Sequence, residues 1–270
     1  MKLGIFAAAA LLLVTGQVAA APPQRIMSLK ICTDELLLDL VSSSRIASVT
    51  FLSREAAALK VWPQGAKVPV NHGAAEEILA TRPDLILTDP FMAPSLRPLL
   101  AKSGARILEV PPAESFEQIR AITRLVAKAV GEEARGEALI AQMDADLRDV
   151  AAHRPGHALT VAGWGGGGYV PGTGGLFDVM LTAAGVRNVV RGTFAYYDVE
   201  ALMAANPDAL VYGDTYHGTT SLRADQDLHP ALLKRYAGRR ITYGSLYGCG
   251  VPESGRATKS LQGALLKVRR

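Results

Sequence analysis

Cysteine is scarce in this chain, and charge of one sign is nowhere concentrated. The 270 residues include two cysteines, Cys32 and Cys249, which lack the CxxC spacing of zinc and thiol-redox sites. The 29 basic and 25 acidic residues leave a formal net charge of +4, and the basic residues are dispersed. We therefore expect neither a disulfide scaffold nor a nucleic-acid partner.

Catalytic motifs are also missing. The five histidines are dispersed without an HExxH pair, and no GxSxG elbow occurs. The glycine run 165–168 lacks the GxGxxG order of a dinucleotide loop and the GK[ST] ending of a P-loop. Glycines there suit a backbone that passes close to a bulky ligand. We expect a protein that is not an enzyme, with no cofactor and no metal site built from its own side chains.

The only long apolar run lies at the N terminus. Lys2 precedes the apolar stretch 3–14, and small residues follow up to Ala20. This order predicts an export signal over 1–20 that is cleaved after Ala20. A membrane anchor is the alternative, but the run is shorter than the roughly 20 residues that span a bilayer. Cys32 lies beyond the predicted cleavage site, and Lys30 stands two residues before it, so we do not expect lipid attachment there. We therefore predict a soluble periplasmic protein.

Short aliphatic runs alternate with longer amphipathic stretches through the rest of the chain. With 49% apolar residues, this alternation predicts α/β units with mostly parallel strands. The predicted strands are Ile26–Leu29, Ile46–Thr50, Leu85–Thr88, Arg106–Val110, Leu159–Ala162, Ala209–Tyr212 and Ile241–Tyr243. The predicted helices are Asp34–Val41, Ala75–Thr81, Ser95–Ser103, Phe116–Val130, Leu176–Ala184, Val199–Ala205 and Pro230–Tyr236.

One segment, Glu132–His153, is strongly helix-forming and carries an apolar stripe from Leu139 to Val150. It ends at an Arg-Pro-Gly stop signal. It therefore divides the chain into an N-terminal lobe (21–131), a connecting helix (132–154) and a C-terminal lobe (155–270). The predicted fold is α/β, with two Rossmann-like lobes that a single long helix joins.

The two halves share a pattern that is visible within this sequence alone. A glutamate, Glu76 or Glu200, precedes a Pro-Asp pair by seven residues in each half, and a buried strand follows. Proline ends the helix because it disfavours helical angles in the residue before it. The glutamates fit two roles, because an acidic residue in a first helical turn also stabilises the helix dipole. The sequence leaves both roles open.

Ligands of open α/β sheets bind beyond the carboxyl ends of the strands, so residues that follow the predicted strands are candidate contacts. Aromatic residues recur at these turns although they make up only 6% of the chain, which suits a large, partly apolar ligand. Packing of each ring at a sheet end is the alternative. The candidates are Lys30, Cys32, Arg54, Phe91, Trp164, Tyr169, Tyr197, Tyr216, His217 and Tyr247.

Cys32 and Cys249 both follow predicted strands, one in each half. In an oxidising compartment they would form a disulfide across the cleft edges if their Cα atoms came within roughly 7 Å. Two separate buried thiols are the alternative, and the sequence leaves the choice open.

Together these features resemble the helical-backbone class of ABC-transporter substrate-binding proteins, which includes cobalamin- and ferric-siderophore-binding proteins. The most specific parts are Arg25–Leu29, Ile78–Leu87 and 172–188, with the paired Glu-(six residues)-Pro-Asp elements. The resemblance implies a monomer with a ligand cleft between the lobes, which captures a metal chelate and delivers it to an inner-membrane permease dimer. It also implies that Glu76 and Glu200 pair with permease arginines, although Glu77 could substitute for Glu76.

The class of chelate depends on the charge of the cleft. A neutral corrinoid suits aromatic faces, whereas an anionic siderophore requires convergent cations, for which only Lys30 and Arg54 are at hand. We therefore expect cobalamin, with a ferric siderophore or haem as the alternatives. A periplasmic enzyme and a partner-binding protein without a small-molecule cleft are the other classes considered.

Overall fold

The fold is known from a computed structural model, which describes residues 21–54, 62–91, 96–157, 159–164, 168–213, 229–243 and 248–268. The predicted export signal lies outside these residues. The strands are β1 (Ile26–Ser28), β2 (Ile46–Thr50), β3 (Val70–Asn71), β4 (Leu85–Thr88), β5 (Arg106–Glu109), β6 (Leu159–Trp164), β7 (Tyr169–Pro171), β8 (Val186–Asn188), β9 (Phe194–Tyr196), β10 (Ala209–Gly213) and β11 (Arg240–Tyr243). The helices are α1 (Ile31–Leu40), α2 (Ala75–Thr81), α3 (Arg97–Lys102), α4 (Phe116–Val130), α5 (Glu133–Ala152), α6 (Leu176–Ala183), α7 (Val199–Ala205), α8 (Pro230–Arg235) and α9 (Ser254–Leu265).

The strands form two parallel sheets, one in each half of the chain. The first has the order β3-β2-β1-β4-β5 and the second the order β11-β10-β6-β8. Every pair within both sheets is parallel, and a separate antiparallel pair joins β7 to β9. The prediction of two α/β lobes with mostly parallel sheets is confirmed. Among the described helices, none is both long and apolar enough to cross a membrane.

The sequence pattern did not reveal every element. The strands β3, β7, β8 and β9 have two or three residues each, too few to show a period of hydrophobicity. Helix α9 was also missed, because its buried face includes small and polar residues such as Ser254, Gly255 and Thr258. Helix α3 starts at Arg97, two residues after the predicted start.

The Glu-to-Pro-Asp repeat has the same structure in both lobes. Helices α2 and α7 each end at a left-handed residue directly before the proline, Arg82 with φ 47° and Asn206 with φ 46°. The aspartate after the proline then binds the backbone at the start of a neighbouring strand. Asp84 accepts a hydrogen bond from the backbone N–H of Arg25, just before β1, at 3.0 Å. Asp208 accepts one from the backbone N–H of Thr160, in β6, at 2.8 Å. The repeat is therefore a structural unit that places α2 and α7 in equivalent positions.

Helix α5 joins the lobes, and it is packed along its length. Gly136 lies against α4 so closely that a Cβ atom there would come within 2.5 Å of the Ala127 side chain. At the other end, Gln262 of α9 donates to the carbonyl of Val150 at 2.8 Å. The connector is thus one layer of a three-helix stack formed by α4, α5 and α9.

The C-terminal segment returns from the second lobe to the first. Cys249, Val251 and Ala257 pack in the same hydrophobic core as α1 and the first sheet. A disulfide joins Cys32 to Cys249, with their Cα atoms 5.1 Å apart. The lobes are therefore connected by α5, by this core and by a covalent bond.

Helix α1 buries the carboxyl groups of Asp34 and Glu35 and partly buries that of Asp39. Asp34 accepts hydrogen bonds from the backbone N–H of Thr50 at 3.0 Å and from the Ser53 hydroxyl at 2.8 Å, which fixes the turn after β2. Burial raises the pKa of Asp34 and of Asp39 to about 6. Glu35 is 4% exposed, and burial followed by the charges of Asp34 and Asp39 raises its pKa to about 9.

These raised pKa values predict that the folded protein loses stability as pH rises. A group with a raised pKa binds its proton more tightly in the folded state, so its contribution is complete below the unfolded pKa and declines up to the folded one. For Glu35 this window runs from 4.5 to about 9. We expect stability to fall by up to about 1.4 kcal/mol per pH unit there, and Glu35→Gln to flatten the decline and raise the melting temperature at pH 8. Thermal unfolding of the wild-type protein and of Glu35→Gln between pH 5 and 9 tests this prediction. The same dependence of melting temperature on pH in both proteins would contradict it.

Candidate functional site

A cavity of about 400 Å³ lies between the two lobes. The first lobe contributes the ends of three neighbouring strands, and the second lobe contributes the start of α6 and two short loops. The apolar side chains that line it are Ile31, Leu36, Phe91, Val110, Pro111, Pro112, Ala113, Ile122, Pro171, Leu176 and Phe177. The volume falls within the roughly 300–1,000 Å³ of small-molecule sites, and such sites are mostly apolar.

The strand order explains the wall of the first lobe. Because β1, β4 and β5 are adjacent and parallel, the residues after them meet at one edge of the sheet. Lys30 follows β1, Asp89 and Phe91 follow β4, and the turn 110–114 follows β5.

On the side of the second lobe, the cavity wall contacts the first lobe through backbone atoms. Gly250 lies against Ala113 so closely that a Cβ atom would come within 2.2 Å of the Ala113 carbonyl oxygen. Gly248 and Gly250 line the cavity on either side of the disulfide, and Cys32 lines it from the first lobe. Only glycine at position 250 allows this approach, so the two lobes form a continuous wall there.

Charged groups are few along the described part of this lining. Lys30 and Asp89 form an ion pair of 3.1 Å at the rim, where their side chains are 42% and 23% exposed. The other carboxylate oxygen of Asp89 accepts a hydrogen bond from the backbone N–H of Phe91 at 2.9 Å. Glu114 is the second lining carboxylate. The described lining therefore carries one positive and two negative side chains.

The sequence-predicted contacts fall into four groups. Lys30, Cys32 and Phe91 line the cavity. Three other candidates lie apart from the cavity lining. Trp164 is 2% exposed in the core of the second lobe, and Tyr197 packs against that core. Arg54 donates a hydrogen bond to the Val68 carbonyl at 3.4 Å. Tyr169 lies in β7, whereas Tyr216, His217 and Tyr247 lie outside the described residues.

Several lining residues were missed by the sequence reasoning. The turn 110–114 follows the predicted strand Arg106–Val110, so the strand-end rule would have included it. Asp89 also follows a strand, but a search for aromatic rings passes over it. Leu176 and Phe177 belong to the second lobe's α6, and only the packing of the lobes brings them to the cavity.

Helix α2 begins with two glutamates that have different surroundings. The Glu77 carboxylate accepts from the backbone N–H groups of His72 at 2.8 Å and Ala74 at 3.1 Å, which caps the helix. Its hydrogen bonds with His72 hold the pKa of Glu77 below its usual range. Glu76 is exposed and makes no hydrogen bond or ion pair with any described residue.

Helix α7 repeats this division of roles. The Asp198 side chain caps the helix by accepting from the backbone N–H of Ala201 at 2.6 Å. Glu200 is exposed, again without a hydrogen bond or ion pair in the part of the chain that the structure describes. A different acidic residue therefore caps each helix, and each helix carries a second, exposed carboxylate at the equivalent position of the repeat.

Two α/β lobes, a connecting helix and a cleft between the lobes define a binding protein. The family model described as "Periplasmic binding protein" matches residues 26–229, and the chain belongs to that family. A curated relative is an uncharacterized ABC transporter substrate-binding lipoprotein, YvrC, of Bacillus subtilis (strain 168). It is 22% identical over 204 residues, which cover 71% of this chain and 64% of YvrC, less than two thirds of its length.

Solved structures share the whole architecture. The periplasmic heme-binding protein RhuT from Roseiflexus sp. RS-1, in apo form, has a TM-score of 0.75 and 25% identity, covering 91% of this chain and 98% of RhuT. A periplasmic heme binding protein from Pseudomonas aeruginosa has a TM-score of 0.71 and 24% identity, covering 92% and 94%.

Proposed function

We propose that this protein is the exported substrate-binding component of an ABC importer and that it captures a metal chelate between its lobes. The observation that carries the proposal is the cleft, whose apolar walls come from both lobes and enclose about 400 Å³. Membership of the periplasmic binding protein family and the similarity to YvrC support a role in transport. The lobes serve as a receptor for a small molecule, and no reaction is assigned to them.

Among chelates, we favour a flat porphyrin of the haem type. The described lining is apolar, with three prolines and two phenylalanines, which suits the faces of an apolar macrocycle. Lys30, which pairs with Asp89 at the rim, is the one cation of the described lining, and a peripheral carboxylate would have to compete with Asp89 for it. The likeness to RhuT, which is a heme-binding protein, supports this choice.

Cobalamin is the second candidate, and the charge of the lining favours it. A neutral corrinoid requires no cation, and Asp89 and Glu114 outnumber Lys30 along the described wall. The aromatic rings support cobalamin less than the sequence indicated, because Trp164 and Tyr197 lie apart from the cavity. A strongly anionic ferric siderophore fits worst, since it requires several convergent cations.

We further propose that Glu76 and Glu200 dock the protein to its permease. The bland explanation for each glutamate is that it stabilises a helix start. Glu77 and Asp198 supply the hydrogen bonds that cap α2 and α7, so Glu76 and Glu200 are not needed as caps and act on the helix starts only through the dipole. Two exposed carboxylates at equivalent positions suit a dimeric partner that presents one cationic site to each lobe.

Thermal unfolding against a panel of haem, cobalamin and ferric siderophores tests the ligand. A ligand at about 100 times its dissociation constant adds roughly 2.7 kcal/mol, which raises the melting temperature by about 5–10 °C. We expect haem to give this shift, and Phe91→Ala to reduce it because Phe91 lines the cavity with a side chain that is 76% exposed. Leu266→Ala, at an exposed position after α9, is the matched control.

Each outcome of the panel has a defined meaning. A shift with cobalamin alone would support the second candidate and contradict haem. A shift with a siderophore alone would contradict both tetrapyrroles but keep the transport role. No shift with any chelate would contradict the proposed class of ligand.

A further inference from the structure

The ion pair between Lys30 and Asp89 bridges two neighbouring strand ends at the rim of the cleft. Lys30 follows β1 and Asp89 follows β4, and these strands are adjacent and parallel in the first sheet. The Nζ atom of Lys30 lies 3.1 Å from Oδ2 of Asp89, and both residues line the cavity. Because Lys30 is the one cation of the described lining, Asp89 occupies the group with which an anionic ligand would pair.

The backbone of Lys30 is held by the first turn of α1. Its carbonyl oxygen accepts from the backbone N–H of Asp34 at 2.9 Å and from the Thr33 hydroxyl at 2.9 Å. The Ser28 hydroxyl donates to the same oxygen at 3.2 Å. The side chain of Lys30, by contrast, is 42% exposed. Exchange of Asp89 for a ligand carboxylate therefore requires rotation of side chains and no change in this turn.

Asp89 makes a second contact, which involves the cavity lining. Its Oδ1 atom accepts a hydrogen bond from the backbone N–H of Phe91 at 2.9 Å. The Arg97 guanidinium donates to the carbonyl of Pro90, between these two residues, at 3.2 Å. Phe91 lines the cavity and is 76% exposed. One carboxylate therefore both pairs with Lys30 and anchors the turn that carries an aromatic ring of the lining.

The charge that a ligand meets at the rim follows from this pair. Asp89 and Glu114 are the two carboxylates of the described lining, and Lys30 is its cation. A ligand carboxylate has to displace Asp89 from Lys30 and then lies near a like charge, which is unfavourable. A chelate without peripheral charges meets neither obstacle, because it needs no cation.

We propose that Asp89 determines the charge selectivity of the cleft. By holding Lys30, it lowers the affinity for chelates with peripheral carboxylates and leaves the affinity for their uncharged counterparts unaffected. The inference rests on the proposed capture of a chelate and assigns its selectivity to one residue. Asp89→Asn separates the two roles of this side chain, because the amide keeps an acceptor oxygen for the Phe91 N–H but loses the charge.

Affinities for two matched pairs of chelates test the inference. The first pair is haem and its dimethyl ester, in which both peripheral carboxylates are uncharged. The second pair is cobalamin and a monocarboxylate made by hydrolysing one of its peripheral amides. We expect Asp89→Asn to strengthen binding of the carboxylate-bearing member about two- to fivefold, the size of an exposed ion pair, and to leave the uncharged member unchanged. Absorbance titration of the purified proteins measures these affinities.

Three further variants serve as controls. Glu109→Gln removes the same charge at the end of the neighbouring strand β5, where Glu109 pairs with Arg97 at 2.6 Å outside the cavity lining, and should change neither affinity. In a Lys30→Gln background, Asp89→Asn should lose most of its effect, because a double-mutant cycle isolates the pair. Asp89→Ala also removes the acceptor for Phe91, so relative to Asp89→Asn it should weaken both members of each pair alike.

The outcomes distinguish failure of this inference from failure of the proposed function. If the chelates bind and Asp89→Asn leaves the difference between the members of each pair unchanged, Asp89 does not set the selectivity. An equal gain with Glu109→Gln would attribute the effect to net charge and also overturn the inference. If no member of either pair binds the wild-type protein, the proposed class of ligand fails, and the inference fails with it.

Discussion

The double variant Glu76→Arg, Glu200→Arg is expected to lose at least 90% of chelate uptake while its chelate affinity stays unchanged. Both carboxylates are exposed and bind no described residue, so reversal breaks no observed contact. At each docking point, the charge reversal replaces an attraction to the permease with a like-charge repulsion. Like charges that face each other across an interface cost several kcal/mol. Uptake by cells that carry the variant in place of the wild-type gene, with chelate binding to the purified protein, measures both quantities.

The control for this prediction is Glu133→Arg. Glu133 is also an exposed glutamate in the first turn of a helix, α5, so its reversal perturbs the helix dipole in the same way, by about 0.3–1 kcal/mol. We expect it to leave uptake at the wild-type level. Normal uptake by the double variant would mean that Glu76 and Glu200 serve only their helices, and equal losses in the control would point to stability instead of docking.

Removing the disulfide with Cys32→Ser, Cys249→Ser is expected to have the largest effect on stability. The bond closes a sequence separation of 217 residues, and the loss of a native disulfide typically costs 2–5 kcal/mol. For a chain of this size, that corresponds to a fall in melting temperature of about 5–15 °C. Because Cys32, Gly248 and Gly250 line the cavity, we also expect the chelate to bind more weakly.

Reduction of the wild-type protein provides the matched experiment. Dithiothreitol should lower its melting temperature by the same amount and leave that of the double variant unchanged. The packing of Cys249, Val251 and Ala257 against the first lobe persists without the bond, so we expect a folded protein. Identical melting temperatures and chelate affinities with and without the bond would show that this packing alone sets the cleft wall.

Local signals in the sequence were sufficient for the two lobes and the connecting helix. The α5 stripe was predicted from Leu139 to Val150, and Met143 and Val150 are indeed buried. The Pro-Asp pairs marked the ends of α2 and α7 because proline acts on the residue directly before it. The short strands β3 and β9, of two and three residues, carry no such local signal.

The cleft depended on contacts between distant residues. Gly250 meets Ala113, Cys32 meets Cys249, and α6 faces the turn after β5, all across large separations in sequence. The pattern of aromatic residues therefore identified Phe91 but also selected Trp164, which the second lobe buries.

The sequence by itself determined the α/β lobes, the long helix between them and the paired glutamates, because these follow from the periodicity and punctuation of neighbouring residues. Only the tertiary structure decided which strand ends meet at the cleft and whether the cysteines join. It also decided which acidic residue caps each helix, since Glu77 and Asp198 take that role and leave Glu76 and Glu200 exposed. The physical reason is that burial, strand order and hydrogen-bond partners are properties of the packed chain, whereas helix and turn preferences act over a few residues.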